Sequence, residues 1–391
     1  MADAREFDLI VYGATGFTGR LVAEYILERH AASGHKWAMA GRSLTKLEAV
    51  RDELGAPADT PLVTADSSDP AALRDMVKRT RAVITTVGPY QLHGSELVAA
   101  CAANGTHYVD LSGEPAWMRH MIDAHEDAAK ASGACIVFSC GFDSIPFDLG
   151  VWAVERECID RFGKPAPRVK GRIKAMKGTF SGGTAASARA TMAAAAKDPA
   201  ILKLMLDPFA LTPGFTGPDQ PKGMLPHHDD AVGGWVAPFM MATINTKNVH
   251  RSNFLAGKPY GADFVYDEMM IAPGIGEAAK AAAEAIAKAP QIGGEGGPKP
   301  GEGPSREERD SGFYELWFIA EMPDGQRIRS VVKGDRDPGY GSTSKMITES
   351  ALCLIQDGVA KPGLWTAGGL MPETLRKRLA ENAGVTITIE G

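Results

Sequence analysis

The sequence predicts an α/β fold, in which a Rossmann-type doubly wound parallel sheet is joined to a second α+β domain with a mixed or antiparallel sheet. Three observations support this prediction. Short apolar runs alternate with helical patterns up to about residue 140. A glycine-rich turn follows the first run directly. After Phe142 the alternation gives way to longer, half-exposed strand patterns.

Six short apolar runs near the N-terminus are typical of buried strands, and helical patterns separate them. Buried strands that alternate with helices indicate a parallel sheet covered on both faces, and right-handed crossovers make that sheet doubly wound. Ser43 and Gly55 fit the start and stop of the second helix. The six runs are 8–13, 37–42, 61–66, 82–88, 106–113 and 134–140.

The pattern after Phe142 predicts a connecting helix, a half-exposed strand at 168–176 and an alanine-rich helix at 182–197. Further strands are expected at 260–272 and 311–334, with a hairpin turn at Pro323-Asp324-Gly325. The Gly/Pro-rich, charged segment 291–312 is expected to be an exposed, mobile loop. The chain is predicted to end with helices near 341–357 and 372–382 and a short strand, VTITIE.

Composition narrows the class of protein. The 391 residues are 44% hydrophobic and 23% charged, as in soluble globular proteins. A net charge of −6 without a basic block argues against nucleic acid as a partner. Five cysteines without a CxxC pair predict reduced thiols, a cytoplasmic location and no metal site. The uncharged stretch 231–246 is shorter than the roughly 20 apolar residues of a membrane span, so it is expected in the core, at an apolar site or in peripheral contact with a membrane.

Glycines at 13, 16 and 19 form a GxxGxxG turn between the first strand and its helix. A helix N-terminus offers unpaired N–H groups and a partial positive charge to a phosphate, and glycines let the backbone come close to it. The turn is therefore predicted to hold the pyrophosphate of a dinucleotide. The residues assigned to this role are Gly13, Ala14, Thr15, Gly16, Phe17, Thr18 and Gly19.

The end of the second strand indicates which dinucleotide binds. An acidic residue is usual there in NAD sites, whereas this chain has Gly41, Arg42 and Ser43, with Lys46 one turn later. A guanidinium and a hydroxyl suit a 2′-phosphate, so the predicted cofactor is NADP(H). Asp66 either accepts a hydrogen bond from the adenine amino group or caps the next helix.

The fourth strand runs into Val87, Gly88, Pro89 and Tyr90, which are predicted to lie along the nicotinamide and its ribose, since ligands bind at the carboxyl ends of such strands. Tyr90 could stack, donate a proton or pack. His93 is either a general acid or a solvated loop residue. Three further polar residues, Asp110, Ser112 and Glu114, end the fifth strand at the same edge; Asp110 in particular could titrate in the cleft or tie down a loop.

Three absences exclude other chemistries. No tyrosine has a lysine four residues later, which argues against the proton transfer of short-chain dehydrogenases. The sequence has no GxSxG nucleophile elbow and no HExxH zinc motif. The predicted domains are thus an NADP-binding Rossmann domain at 1–145, an α+β substrate or dimerisation domain at 146–340, and C-terminal helices at 341–391 that return to the Rossmann domain.

Several of these segments together resemble the saccharopine dehydrogenase-like oxidoreductases, and within them the trans-acting enoyl reductase branch. The segments are 11–27, AGRS at 40–43, TTVGPY at 85–90, YVDLSGE at 108–114, CGFDSIPFDLG at 140–150, 238–253 and 301–318. The resemblance implies an NADPH-dependent reductase of lipid metabolism that reduces the C=C bond of an α,β-unsaturated, polyketide or lipid-like acyl substrate, free or carrier-bound.

Such a reaction needs a proton donor at the α-carbon and donors at the carbonyl oxygen. The candidate catalytic residues are Tyr90, Asp143 and Ser144, with Asn245 and Arg251 as contributions from the second domain. Two alternatives remain open: an imine dehydrogenase of amino and keto acids, and an NADPH-sensing protein without catalysis. The apolar segment 313–322 could also act as an edge strand that pairs across a homodimer.

Overall fold

The computed structural model describes residues 5–179, 182–289 and 302–391. Its strands form two seven-stranded sheets. In chain order they are β1 Phe7–Tyr12, β2 Trp37–Gly41, β3 Leu62–Thr64, β4 Thr80–Thr85, β5 His107–Val109, β6 Cys135–Val137, β7 Arg168–Lys177, β8 His227–Asp229, β9 Gly234–Pro238, β10 Val265–Ile271, β11 Phe313–Glu321, β12 Arg327–Gly334, β13 Gly363–Trp365 and β14 Val385–Glu390.

The helices connect and cover these sheets, and two π-helical turns, Pro338–Ser342 and Leu379–Ala383, extend the C-terminal ones. In chain order they are α1 Phe17–His30, α2 Leu44–Glu53, α3 Pro70–Lys78, α4 Tyr90–His93, α5 Ser95–Asn104, α6 Pro115–Ser132, α7 Ile145–Phe162, α8 Gly182–Lys197, α9 Pro199–Leu206, α10 Ala242–Leu255, α11 Glu277–Lys288, α12 Arg306–Asp310, α13 Thr343–Gln356, α14 Ala367–Leu370 and α15 Pro372–Arg378.

The first sheet is parallel, with the strand order β3-β2-β1-β4-β5-β6-β13. This order is that of a Rossmann fold extended by one strand, so the predicted doubly wound sheet is confirmed. The central residues Leu9, Ile10 and Val11 of β1 are all buried, because helices cover both faces. The sequence reading missed β13, a three-residue strand.

The second sheet is mixed, as predicted, with the order β14-β12-β11-β7-β10-β9-β8; only β7 and β10 pair in parallel. The prediction that 313–322 forms an exposed edge for a homodimer is wrong, because β11 is bonded to β12 on one side and to β7 on the other. The stretch 231–246 is divided between β9 and the start of α10, and Val236 and Ala237 are buried.

Helix α7 joins the two sheets into one core. A Cβ atom on Gly150 would lie 2.2 Å from the Phe318 ring, so this glycine lets α7 pack tightly on β11. The C-terminal residues contribute to both sheets, since β13 pairs with β6 and β14 with β12. The division into three domains stays a prediction.

Two segments bear on the remaining predictions. The expected loop 291–312 lies partly outside the described residues, and its last part includes α12, which Ser305 and Glu308 start with a capping box. None of the helices within the described ranges combines the length and the apolar character that a membrane span requires.

Candidate functional site

The glycine turn lies where β1 meets α1. Gly13 has a φ of +94°, and a Cβ atom there would be 2.8 Å from both Thr86 Oγ1 and Val87 Cγ2. At Gly19 a Cβ atom would be 2.1 Å from the Gly13 carbonyl oxygen. Gly13 is therefore required for its backbone conformation and its contact with the segment after β4, and Gly19 for the close approach of the helix to the strand.

The start of α1 fits an anionic group. Gly16 is the N-cap residue and supplies no side-chain hydrogen bond to the first turn, which also contains no acidic residue. The N–H groups of that turn are thus left for an external acceptor, and the helix dipole favours negative charge there. This geometry fits the pyrophosphate predicted for residues 13–19.

The side chain of Phe17 has a different environment from the one the cofactor prediction implied. Its ring contacts the Tyr340 ring edge-on at 5.2 Å, and the Arg309 guanidinium lies 5.8 Å from its centroid. A Cβ atom on Gly303 would be 2.5 Å from the same ring. Phe17 thus offers its backbone to a phosphate while its side chain packs against the second half of the chain.

The end of β2 is cationic, as the sequence indicates. Arg42 and Lys46 are both exposed, and neither forms an ion pair with a residue within 5–179, 182–289 or 302–391. Ser43 caps α2 by accepting a 3.4 Å hydrogen bond from the Lys46 N–H. Two cations that form no ion pair among the described residues, and the lack of an acidic residue at positions 41–46, fit a 2′-phosphate and therefore NADP(H).

Asp66 follows β3 and is exposed. One of its carboxylate oxygens accepts hydrogen bonds from the Ser68 N–H (2.9 Å) and hydroxyl (2.7 Å), and these bonds lower the pKa of Asp66. The helix cap that was the alternative for Asp66 belongs to Asp69, which accepts from Ala71 N and Ala72 N. Asp66 thus remains available for an adenine amino group.

The segment after β4 is covered by helix α8. A Cβ atom on Gly88 would be 3.7 Å from Ser187 Oγ, and the Gln91 side chain donates to Thr191 Oγ1 at 3.2 Å. On the other side, the Glu114 carboxylate accepts from the Tyr90 N–H at 2.9 Å and the Gln91 N–H at 2.7 Å. Helix α8 therefore forms one wall of the crevice beside Val87, Gly88 and Pro89.

The Tyr90 hydroxyl is used inside the protein. It donates to the Thr85 carbonyl at 3.2 Å and accepts from the Leu111 N–H at 3.0 Å, and the residue is buried. Burial also raises the pKa of Tyr90 well above its usual value. Both features argue against Tyr90 as the proton donor and favour the packing role.

Asp110 ties the ends of β5 and β6 together. Its carboxylate accepts from the Ser112 N–H and hydroxyl, the Ser139 N–H and the Tyr108 hydroxyl, at 2.8–3.0 Å. Burial raises the pKa of Asp110 to about 6, and these four donors oppose that shift. Ser139 has a φ of +58°, uncommon for a residue other than glycine, and its bond to Asp110 helps to hold this conformation.

Asp143 lies in the turn between β6 and α7 and is half-buried. Burial raises the pKa of its carboxyl to about 7, and no hydrogen bond from a described residue opposes the shift. Of the three predicted catalytic side chains it is the one whose polar group is uncommitted. A partly exposed carboxyl that is about half protonated near pH 7 suits a general acid.

Ser144 is buried beside Asp143. Its hydroxyl donates to the Asp143 carbonyl oxygen and accepts a 2.5 Å hydrogen bond from Asn248 Nδ2. Since the Ser144 hydroxyl proton is used in a local hydrogen bond, the geometry favours a role in shaping the turn.

His93 is exposed at the end of α4.

Helix α10 brings further polar groups to this turn. Asn245 Nδ2 donates to Glu268 Oε2 at 2.9 Å, and the Tyr266 hydroxyl donates to Glu268 Oε1 at 2.9 Å. Burial raises the pKa of Glu268 to about 8, and the nearby Asp143 carboxyl adds to the shift. Arg251 does not reach the crevice: its guanidinium donates to the Leu211 and Leu364 carbonyls.

The sequence analysis did not identify Asn248 and Glu268 as residues of the site. The spacing of Asn245 and Asn248 on one helical face was the signal available, whereas nothing in a strand pattern marked Glu268. No group of three or more His, Cys, Asp or Glu side chains in the described part of the chain is arranged to hold a metal ion.

Comparisons with known proteins identify the NADP-binding domain and the family. The family model of the saccharopine dehydrogenase NADP-binding domain matches residues 9–137. A Mycobacterium tuberculosis protein, provisionally named a trans-acting enoyl reductase, is 38% identical over 99% of this chain and 98% of its own. The trans-acting enoyl reductase of Mycobacterium leprae is 36% identical over 98% of both chains.

Among solved structures, the L-Glu-forming saccharopine dehydrogenase of Saccharomyces cerevisiae is similar in fold. It has a TM-score of 0.52 and 13% identity, and the match covers 98% of this chain and 99% of that one. The likeness extends over both sheets, so it supports the whole two-sheet architecture.

Proposed function

This chain belongs to the trans-acting enoyl reductase branch of the saccharopine dehydrogenase-like oxidoreductases, and from that premise we propose that it reduces the C=C bond of an α,β-unsaturated acyl substrate. Its family and its NADP-binding domain make it an NADP-dependent oxidoreductase. The observation that carries the proposal for the acyl substrate is the uncommitted Asp143 carboxyl at the carboxyl end of β6.

The chain's own residues would hold the cofactor as follows. The turn 13–19 would bind the pyrophosphate, Arg42 and Lys46 would pair with the 2′-phosphate, and Asp66 would accept a hydrogen bond from the adenine amino group. The segment 87–90 would hold the nicotinamide ribose. NADPH, when bound, supplies the hydride that is transferred to the β-carbon of the substrate.

Asp143 supplies the matching proton. As hydride reaches the β-carbon, negative charge builds on the α-carbon and the carbonyl oxygen, and the neutral Asp143 carboxyl transfers its proton to the α-carbon. The carboxylate that remains takes a proton from water before the next turnover. The C=C bond is thereby reduced by one hydride and one proton, and the carboxyl is regenerated.

The surroundings favour an apolar substrate. Leu111 and Met241 are partly buried and pack against both apolar clusters of the core. The buried cations of the described residues already have partners: Arg172 pairs with Asp229 and Asp267, Arg251 donates to carbonyl oxygens, and Lys247 donates to the Thr243 carbonyl. A substrate with several carboxylates, as in imine dehydrogenase chemistry, would need basic groups that these pairings occupy.

The test is NADPH oxidation by purified protein with enoyl thioesters of increasing chain length. We expect turnover with enoyl thioesters, formation of the saturated acyl product, and no turnover with the matching saturated thioesters. Keto acids with amines form the second arm. Turnover there alone would replace the proposal with an imine dehydrogenase, and tight NADPH binding without turnover in either arm would indicate a sensor.

A further inference from the structure

The turn that carries Asp143 is held by helix α10. We propose that Asn248 is a positioning residue that fixes the Asp143 carboxyl through Ser144, an inference that rests on the proposed function for its catalytic meaning. Asn248 is buried, and its Nδ2 donates to Ser144 Oγ at 2.5 Å. Ser144 Oγ in turn donates to the Asp143 carbonyl oxygen.

The Asp143 carboxyl depends on the hydrogen bonds that hold the turn, because the carboxyl itself accepts none from a described residue. No described residue donates a hydrogen bond to its carboxyl, so the position of the carboxyl depends on how firmly the backbone of the turn is held. One end of the turn is fixed by the Phe142 N–H, which donates to Thr343 Oγ1 at 2.9 Å. The other end is fixed at Ser144, where Asn248 is the side chain that reaches it.

Helix α10 is itself anchored on both sides of Asn248. One turn earlier, Asn245 donates to Glu268 on β10. One turn later, Ser252 donates to Asp148 Oδ2 on α7 at 2.7 Å. Residues three and four apart share a face of a helix, so Asn245, Asn248 and Ser252 form one polar stripe that fixes the rotation of α10 and directs Asn248 at the turn.

The charges around Asp143 do not offer another way to hold it. Glu268 on β10 is the ionisable group whose pKa responds to Asp143, and it is also a carboxyl. Among the described residues of α7, α10, α13 and β10, no cationic side chain shifts the pKa of Asp143. The position of the turn and the extent of its burial therefore set the pKa of the Asp143 carboxyl.

The experiment compares Asn248→Ala and Ser144→Ala, which remove the same hydrogen bond from opposite sides, with Thr246→Ala as the matched control. The Thr246 hydroxyl donates to Ala242 O within the same helix and forms no hydrogen bond with another element of the described structure. The first readout needs no substrate: titration of the ¹³C-labelled Asp143 carboxyl by NMR. The second is steady-state turnover with an enoyl thioester, with isotope effects from NADPD and from D₂O.

We expect both test variants to lower the Asp143 titration midpoint by about one pH unit, since a looser turn admits water. They should lower kcat about 10- to 100-fold, leave KM and NADPH affinity nearly unchanged, and raise the D₂O effect while the NADPD effect falls. Thr246→Ala should match the wild type. Unchanged titration in a folded Asn248→Ala or Ser144→Ala protein would overturn the proposal. A shifted titration in a protein that reduces no enoyl thioester would leave the positioning role standing and refute the proposed function.

Discussion

A Cβ atom on Gly19 would lie 2.1 Å from the carbonyl oxygen of Gly13. The first turn of α1 is therefore pressed directly onto the turn that leaves β1. This contact places the unpaired N–H groups of the helix at the crevice, and it allows no side chain between the two backbones.

Gly19→Ala should accordingly destabilise the fold and abolish NADPH binding, because the backbone must shift where the phosphates bind. Overpacking of this kind costs about 1–3 kcal/mol or more. Calorimetry of NADPH binding and thermal unfolding measure the two effects. Gly41→Ala is the control for stability, since its Cβ would meet Leu47 and Thr15 only at 3.6–3.8 Å; equal stability of the two variants would contradict the packing argument.

Arg42→Ala should reduce affinity for NADPH about 10- to 100-fold and leave affinity for NADH unchanged. The reason is that a charge-assisted hydrogen bond to a phosphate contributes about 1.5–3 kcal/mol, and NADH has no 2′-phosphate. Fluorescence titration with both dinucleotides gives the ratio directly. A parallel loss for NADH would mean that Arg42 supports the fold of this edge instead.

Tyr90→Phe should lower the melting temperature while kcat stays within about threefold of the wild type. The change leaves the partly buried Leu111 N–H without the Tyr90 hydroxyl as acceptor, which costs about 1–3 kcal/mol. Turnover and thermal unfolding of the same preparation test both halves. A kcat loss of a hundredfold in a stable, NADPH-bound variant would restore Tyr90 as the acid.

The pH profile of turnover should follow Asp143. Since its pKa is raised to about 7, the acid form dominates below that pH, and kcat should be level there and fall about tenfold per unit above it. Asp143→Asn should remove the descending limb together with most of the activity. A profile that stays flat to pH 9 in the wild type, with the proton step rate-limiting, would exclude this carboxyl.

Asp143 should also make the stability of the folded protein fall as pH rises, whereas a carboxylate in an ion pair makes it rise. A folded-state pKa of about 7 exceeds the unfolded value near 3.8, so the folded protein binds more protons between these limits, and this contribution to stability is lost as pH rises through that window. Asp143→Asn should therefore raise the melting temperature at pH 8 more than at pH 4. Equal shifts at the two pH values would show that the carboxyl is well solvated.

Much of the fold follows from local pattern. An apolar run such as Leu9–Tyr12 indicates a strand buried on both faces, and the glycines at 13 and 19 indicate a close strand–helix contact. Both features can therefore be recognised in the sequence. The three residues of β13 are too few to show a period, and the interior place of β11 depends on β7, more than 130 residues earlier in the chain.

The candidate site, like the fold, could be predicted from the sequence only in part. The charge of Arg42 is a property of the residue type and its strand end, so the cofactor could be predicted. The commitment of the Tyr90 hydroxyl to Thr85 and Leu111, and the lack of any donor to Asp143, depend on where side chains point. The Tyr90 contacts form where the segments after β4 and β5 meet within the first sheet, and the support of the Asp143 turn by Asn248 forms where α10 packs beside α7.

The strands β13 and β14 complete the edges of the first and second sheets from the last thirty or so residues of the chain. During synthesis, neither sheet is complete until the residues of β13 and β14 have left the ribosome. Residues 1–140 alone would present β6 as an open edge, a surface on which strands of other chains can pair. The order of folding, and the need for protection of the nascent chain, are thus set by two short strands at its end.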